Sequence, residues 1–525
     1  MVKFLISLIT FILYVILKYR KSIYMLQQNS YNVSNRYIKW IFKNFKKSFV
    51  SYDVIIFALL LLTNALFKNY IVYIMGITYF ICFYIELKLI KKEQQKKKFV
   101  ITSRVKRLYF TLFILFIILI IFICKNYNDF YSYLYISLFG YFSFIITFLL
   151  NILNIPAEKI VYHYYFNKAK RKLKNMPNLN IIGITGSYGK TSSKNILNTI
   201  LSSKYNSYPT PKSFNTPYGL MKSINNELDK FNDVFIAEMG ACKLKDIKTL
   251  CDLVHPKYGI ITTIGLAHLE TFKSEENIIK GKFELVESLP NDGVAILNRD
   301  DQKQVNYKIK NKCKVIWIGI DNDADVIANS IKLSYNGTSF KVKFKDEKKE
   351  YDFETKLLGR HNIYNILDAL AVAYELNVPI SKMQMAVKSL VPTEHRLNLI
   401  KYKDIFLIDD AFNSNPLGSK MALEVLNMMP GKKIIVTPGM IELGIHQYDL
   451  NYKFGEYISS VCDEVILIGE HQTKPIYEGL ISSNYSKEHI FILNDVKDAF
   501  VLMEKLKNNE TYVLLENDLP DLFNE

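Results

Sequence analysis

The stretch Ile181–Lys194 reads I-I-G-I-T-G-S-Y-G-K-T-S-S-K, a set of residue types and spacings suited to phosphate chemistry. Asn180, Ile181 and Ile182 read as the end of a short buried strand. Gly183, Gly186 and Gly189 follow at three-residue spacing, then Lys190 and Thr191, then a helical run from Ser192. Glycines let backbone N–H groups close on a phosphate where a Cβ would intrude. The helix that follows points its positive end at the same anion. In such a loop Lys190 reaches the β/γ-phosphates and the Thr191 hydroxyl holds Mg²⁺. The strict pattern wants glycine at 184; this chain has Ile184 there and its glycine one step earlier. The plainer alternative is a glycine-rich turn with a surface lysine. Strand, glycines, Lys-Thr and helix in that order favour the phosphate loop.

Other residues gain meaning from that loop. Val234–Ala237 reads as a strand ending in Glu238-Met239-Gly240, and a carboxylate at a strand end beside a phosphate loop is a natural Mg²⁺ ligand. Tyr258–Ile264 reads as another strand, and His268 lies just beyond it, where open α/β sheets bind ligands. Taken alone, each would be an ordinary surface or structural residue. A helix from about Ser274 to Ser288 carries Lys280, Lys282 and Glu284; helical spacing puts Lys282 and Glu284 on different sides.

These residues need a scaffold, and the alternation of strands with helical stretches predicts a largely parallel sheet covered by helices. Val294–Leu297 is a further strand, and Lys303–Phe353 reads as a β-rich insertion with alternating V-K-F-K. A second α/β unit starts near Leu397, with strands at Ile405–Ile408, Lys433–Val436, Val465–Ile468, His489–Phe491 and Tyr512–Leu514. Asp409–Pro416 and Thr437–Gly444 follow the first two.

The first third is of another kind. Apolar runs occur at Phe4–Leu17, Val54–Phe67, Tyr70–Ile85, Leu108–Cys124 and Tyr131–Leu153. A membrane helix needs about 20 residues, so the last two qualify directly and the first three only with their flanks. Lys18, Arg20 and Lys21 after the first run are a stop signal, and no small-residue cleavage site follows it. Basic segments at Lys18–Lys47, Lys88–Arg107 and Lys159–Lys174 fall on one side if there are five spans. The N-terminus is then outside and everything after Leu153 cytoplasmic. The whole chain, 525 residues with Lys+Arg 67 against Asp+Glu 50, is strongly basic. Such a surplus suits nucleic acid or an anionic membrane surface; the crowding of apolar residues into the first 155 positions favours membrane. The six cysteines form no CxxC pair, which predicts reduced thiols and no zinc site.

At this point the chain resembles the Mur ligase family, most closely the branch that adds D-alanyl-D-alanine to a UDP-muramoyl tripeptide. The residues that carry the resemblance run in family order from Ile181 to Gly444. They are T-G-S-Y-G-K-T at Thr185–Thr191, E-M-G-A at Glu238–Ala241, T-T-I-G-L-A-H-L-E-T-F at Thr262–Phe272 and G-K-F-E at Gly281–Glu284. L-N-R-D-D at Leu297–Asp301, G-R-H-N-I-Y-N at Gly359–Asn365, E-H-R-L at Glu394–Leu397, D-D-A-F-N-S-N-P at Asp409–Pro416 and G-M-I-E-L-G at Gly439–Gly444 complete the series.

The resemblance implies an α/β protein: N-terminal transmembrane helices (1–156), a phosphate-loop central ATP-binding domain (157–395) and a C-terminal Rossmann-like α/β domain (396–525). It implies an ATP- and Mg²⁺-dependent ligase that forms an amide through an acyl phosphate. Gly186, Ser187, Gly189, Lys190, Thr191 and Ser192 would cradle the nucleotide. Asn298 and Asn362 would lie near it, and Arg396 and Asp410 would reach it from the C-terminal domain. Thr191, Glu238 and His268 would serve metal ions, and Lys282 matches the lysine the family carries as a carbamate. Lys190, His268, Lys282 and Arg396 form the expected catalytic set. The implied partners are ATP, a carboxylate-bearing cell-wall precursor, an amino acid or dipeptide, and membrane lipid, with no nucleic acid.

Two departures qualify the resemblance. A membrane domain stands where the family has its UDP-sugar-binding domain, which makes a lipid-linked or polymeric acceptor plausible. Leu514–Pro520 differs from the usual family ending. A polymer ligase of the poly-γ-glutamate type shares the ATP chemistry. An ATP-driven transporter is disfavoured by the missing signature-helix motif, and a silent membrane scaffold by the intact set Lys190, Glu238, His268 and Lys282.

Overall fold

The computed structural model describes residues 2–29, 31, 36–49, 53–92, 99–411 and 414–517. The chain divides into two compact units that change over at His163/Tyr164, inside the helix Ile155–Lys174.

The first unit is helical. Helices Val2–Gln28, Asp53–Leu66, Ile71–Lys92, Ser103–Lys125, Asp129–Tyr141 and Ser143–Leu153 cover the five apolar runs except Phe67, Tyr70 and Phe142. Among the described residues two helical stretches, Lys68–Lys91 and Ser103–Lys125, are long and apolar enough to cross a membrane. The run expected as a single last span is instead two helices bent by 72° at Phe142, which would make a third span if the pair counts as one. Asp53–Leu66 has 14 residues, short of a full crossing. The interior is aromatic, with Phe4, Phe11, Tyr14, Tyr19, Tyr79 and Tyr133 buried. It also holds ionisable groups: Lys18 pairs with Asp53, lies 3.8 Å from Glu86, and Tyr14 donates to Asp53. Part of the basic Lys88–Arg107 segment lies outside the described residues.

The second unit carries two sheets. The larger has strands β1 (Asn180–Thr185), β2 (Ser207–Pro209), β3 (Val234–Glu238), β4 (Tyr258–Ile261), β5 (Val294–Asn298), β6 (Lys314–Gly319), β7 (Val326–Ser334), β8 (Gly337–Phe344) and β9 (Glu350–Thr355). Their order is β2-β3-β1-β4-β5-β6-β7-β8-β9. Pairing is parallel from β2 to β7 and antiparallel from β7 to β9, so the expected β-rich insertion is a meander on the sheet edge. Parallel strands covered on both faces read as unbroken apolar runs, as β3 and β5 do. The helices Lys190–Leu201 and Arg360–Glu375 pack together over this sheet through Ile196, Leu197, Ile363 and Leu367.

The smaller sheet has strands β10 (Asn398–Tyr402), β11 (Ile405–Asp410), β12 (Lys432–Thr437), β13 (Glu464–Ile468), β14 (Ile490–Leu493) and β15 (Thr511–Glu516), in the order β10-β11-β15-β12-β13-β14. All pairs but β10–β11 are parallel, with helices on both faces. The α/β reading holds for both parts. Phe412 and Asn413 of the Asp409–Pro416 motif, and Asp518–Pro520 of the atypical ending, lie outside the described residues.

Candidate functional site

Three neighbouring parallel strands deliver the site at their carboxyl ends. β1 runs into the glycine loop, β3 ends on Glu238, and β4 leads to His268. β3 and β4 flank β1, with Ile184 opposite both Glu238 and Ile260. The end of a parallel sheet is where such folds bind ligands.

The loop needs its glycines at two positions. Gly186 (φ 155°) has no room for a side chain, since a Cβ would lie 2.0 Å from Thr262 Oγ1. Gly189 is left-handed (φ 83°), and a Cβ there would lie 2.7 Å from Asn365 Oδ1. Gly183 has a different job from the one its spacing suggests: it lies within β1 and makes room for Leu285 and Met239. The loop is strapped to β4, with Ser187 N donating to Thr263 O at 2.7 Å and Thr262 Oγ1 to Tyr188 O at 2.5 Å. The helix starts at Lys190, two residues before the position read from sequence. Lys190 Nζ folds over the loop, donating to Gly186 O at 2.7 Å and Ser187 O at 3.3 Å.

These elements enclose a cavity of about 380 Å³. Gly186, Ser187, Gly189, Lys190, Thr191, Ser192, Glu238, His268, Lys282 and Arg396 all line it, so most of the residues singled out in the sequence converge on one space. Lys282 faces the cavity. Glu284 instead accepts from the Lys245 and Lys248 amides at 2.6 and 3.0 Å and caps the helix Asp246–Val254. Lys190, Lys282 and Arg396 line the cavity together with Glu238, Asp246 and Glu442. Burial lowers Lys190 to about 8, with Glu238 opposing and Arg396 adding to the fall. Burial, then the Lys190 charge, lowers Lys282 to about 7. A polyanion entering the cavity would neutralise these charges.

Three expected residues are not brought to the cavity wall. The Asn298 carboxamide turns back to accept from Asp300 N at 2.9 Å, and Asn362 donates to Leu358 O at 2.8 Å, just ahead of its own helix. Asp410 is buried behind Arg396, and burial raises its carboxyl above the usual range while the Arg396 charge opposes the shift.

Other residues were not legible as site residues. Lys194 is fully buried and pairs with Glu238 Oε2 at 3.0 Å, while Asn215 Nδ2 donates to Glu238 Oε1 at 3.0 Å. Lys194 sits one helical turn beyond Lys190, which was the available signal. Glu442, in the Gly439–Gly444 motif, places Oε2 2.6 Å from His268 Nδ1.

Among the described residues no group of three or more His, Cys, Asp or Glu is poised around a metal. That fits Mg²⁺, which is commonly held by one or two protein oxygens together with substrate phosphates and water. Thr191 and Glu238 line the cavity and carry side-chain oxygens of that kind.

Comparison with known proteins agrees with this geometry. Residues 184–373 match the Mur ligase middle domain and residues 395–515 the Mur ligase, glutamate ligase domain. The chain is 31% identical over 342 residues to the UDP-N-acetylmuramoyl-tripeptide--D-alanyl-D-alanine ligase of Buchnera aphidicola, covering 64% of this chain and 71% of that one. The Bacillus subtilis protein of the same name is 28% identical over 333 residues, covering 63% and 70%. Among solved structures, the MurF ligase of Thermotoga maritima in complex with ADP is similar, with a TM-score of 0.61 and 25% identity, covering 69% of this chain and 81% of that one. A phosphate loop on β1, a cavity at the sheet end lined by Lys190, Lys282 and Arg396, and these matches along the second unit make one conclusion: the chain belongs to the Mur ligase family of ATP-dependent C–N ligases.

Proposed function

We propose that the protein joins the carboxylate of a cell-wall precursor to the amine of an amino acid or dipeptide, at the expense of ATP, as its D-alanyl-D-alanine-adding relatives are named for doing. The observation that carries this reading is the convergence of Lys190, Lys282 and Arg396 on one cavity beside the glycine loop. A carboxylate oxygen attacks the γ-phosphorus, ADP leaves, and an acyl phosphate forms. The amine nitrogen then attacks the acyl carbon, phosphate leaves from the tetrahedral adduct, and the nitrogen loses its proton. Bringing one anion onto another requires cations, which Lys190 and Arg396 supply. ATP would lie over Gly186–Ser192, with the Asp410 side reached through Arg396.

Thr191, Glu238, His268 and a carbamylated Lys282 would hold Mg²⁺, which when bound neutralises phosphate oxygens. A buried lysine near pKa 7 is a reactive amine at neutral pH. Its neutral nitrogen adds to CO₂ and releases a proton, turning a cation into an anion. Without that change the Lys282 ammonium would face Lys190 and repel the metal.

The domain limits 1–156, 157–395 and 396–525 go with this reading, as does a multi-pass membrane location with cytoplasmic catalytic domains. A second reading is a lipid-linked or polymeric acceptor. It is favoured by the apolar helices of the first unit, which precede the matched regions.

Lys190→Ala tests the reading. The folded variant should lose about 10²–10³ in ligation rate, the usual cost of one electrostatic contact to the reacting group. Turnover near that of the unaltered protein would refute it.

A further inference from the structure

Tyr188 is a bulky residue in a loop otherwise built of small ones, and its side chain leaves the loop. The backbone is fixed by Thr262 and by a bridge to Thr263. The ring is 8% exposed and packs against the first turn of the helix Pro416–Asn427 in the C-terminal domain. A Cβ on Gly418 would lie 2.7 Å from Tyr188 Cε2 and 3.0 Å from Cδ2, so the helix meets the ring where there is room only for hydrogen. His361 meets the ring edge-on, with centroids 6.2 Å apart. The hydroxyl is directed at Asp410, which lies opposite Glu516 in the β11–β15 register. Burial, then the charges of Asp410 and Glu516, hold the phenol well above its usual range, so it is kept as a proton donor. Glu516 is itself held by Ser414, whose Oγ donates at 2.6 Å.

We infer that Tyr188 is a positioning residue through which the phosphate loop takes its nucleotide-binding shape only when the C-terminal domain is docked. The inference rests on the proposed ligase reading for the loop's role in ATP binding. Undocking would strip the ring of Gly418 and the hydroxyl of Asp410, and would expose an apolar face. Thr262 and Thr263 hold the loop backbone within its own domain, so what docking adds is the seat of the Tyr188 ring against Gly418.

Amide exchange and ATP-dependent ligation in the full-length protein test this with Gly418→Ala, Tyr188→Ser and the double variant. The alanine methyl should strike the ring. Exchange at residues 186–191 and 416–421 should rise together, and kcat should fall about tenfold, the usual scale of overpacking, with KM for ATP changed less. In the Tyr188→Ser background the same alanine should change exchange and kcat by no more than about twofold, since the obstacle is gone. Should Gly418→Ala fail to fold, Tyr188→Phe keeps the ring and removes the hydroxyl, and exchange at 186–191 should still rise. An equal effect of Gly418→Ala in both backgrounds, or unchanged exchange at 186–191 in either loop-facing variant, would overturn the inference. A lack of ligation by the unaltered protein would count against the ligase reading, and the exchange data would still decide the role of Tyr188.

Discussion

His268 Nδ1 and Glu442 Oε2 lie 2.6 Å apart, and the two residues come from different domains of the second unit. His268, left-handed at φ 55°, follows β4 of the larger sheet; Glu442, left-handed at φ 63°, follows β12 of the smaller one. The contact closes one side of the cavity and fixes the imidazole so that its other nitrogen is left for a ligand.

Glu442→Gln should therefore impair the enzyme without unfolding it. A hydrogen bond to a charged group contributes about 1.5–3 kcal/mol, which corresponds to a loss of roughly ten- to hundredfold in kcat/KM. Steady-state kinetics at fixed Mg²⁺ would show the loss, and His268→Gln combined with Glu442→Gln should be little worse than His268→Gln alone. Independent, multiplying losses would mean that the pair does not act as a unit.

Lys282 should carry a carbamate in the active protein. Carbon-13 NMR in labelled bicarbonate should show a carbamate signal that Lys282→Ala removes, and a small added carboxylate should restore part of the variant's activity. The sign with pH follows from the lowered lysine. Above about 7 the neutral, CO₂-reactive amine predominates, and below it the ammonium does, so carbamate and activity should both fall as pH drops through 7. A fully active Lys282→Ala protein would make this lysine only a helix residue.

The sequence disclosed the site where chemistry demands adjacent residues. The Ile181–Lys194 run dictated strand, loop and helix, and Glu238 and His268 could be placed because each ends or follows an apolar strand. Partners set by three-dimensional packing were not legible. Nothing local announces that Lys194 will pair with Glu238, or that Glu442 will reach His268 across 174 positions. Asn298 accepts from Asp300 N and Asn362 donates to Leu358 O, local bonds that residue type alone does not announce. In the helical unit, length was misread where an apolar run is interrupted by a bend: composition is continuous through Tyr131–Leu153, yet the helix breaks at Phe142.

Topology is testable by labelling single cysteines in intact cells. With the Lys125–Asp129 connection outside and everything after Leu153 cytoplasmic, a cysteine at position 127 should react with an impermeant reagent and one at position 170 should not. The basic segments on one side and the near-neutral Lys125–Asp129 connection on the other motivate the expectation. The reverse pattern would place the second unit outside and contradict a cytosolic ATP user.

The central claim is that a carboxylate is activated by phosphoryl transfer before an amine takes its place. The direct measurement uses a substrate labelled with oxygen-18 in its carboxylate, offered as a UDP-linked muramoyl tripeptide and, in parallel, as its lipid-linked form, with D-alanyl-D-alanine and ATP. An acyl phosphate predicts that one labelled oxygen passes from the carboxylate to the released phosphate, in step with amide formation and only when acid and amine are both present. Phosphate released without label, or ATP turnover indifferent to both substrates, would contradict the account.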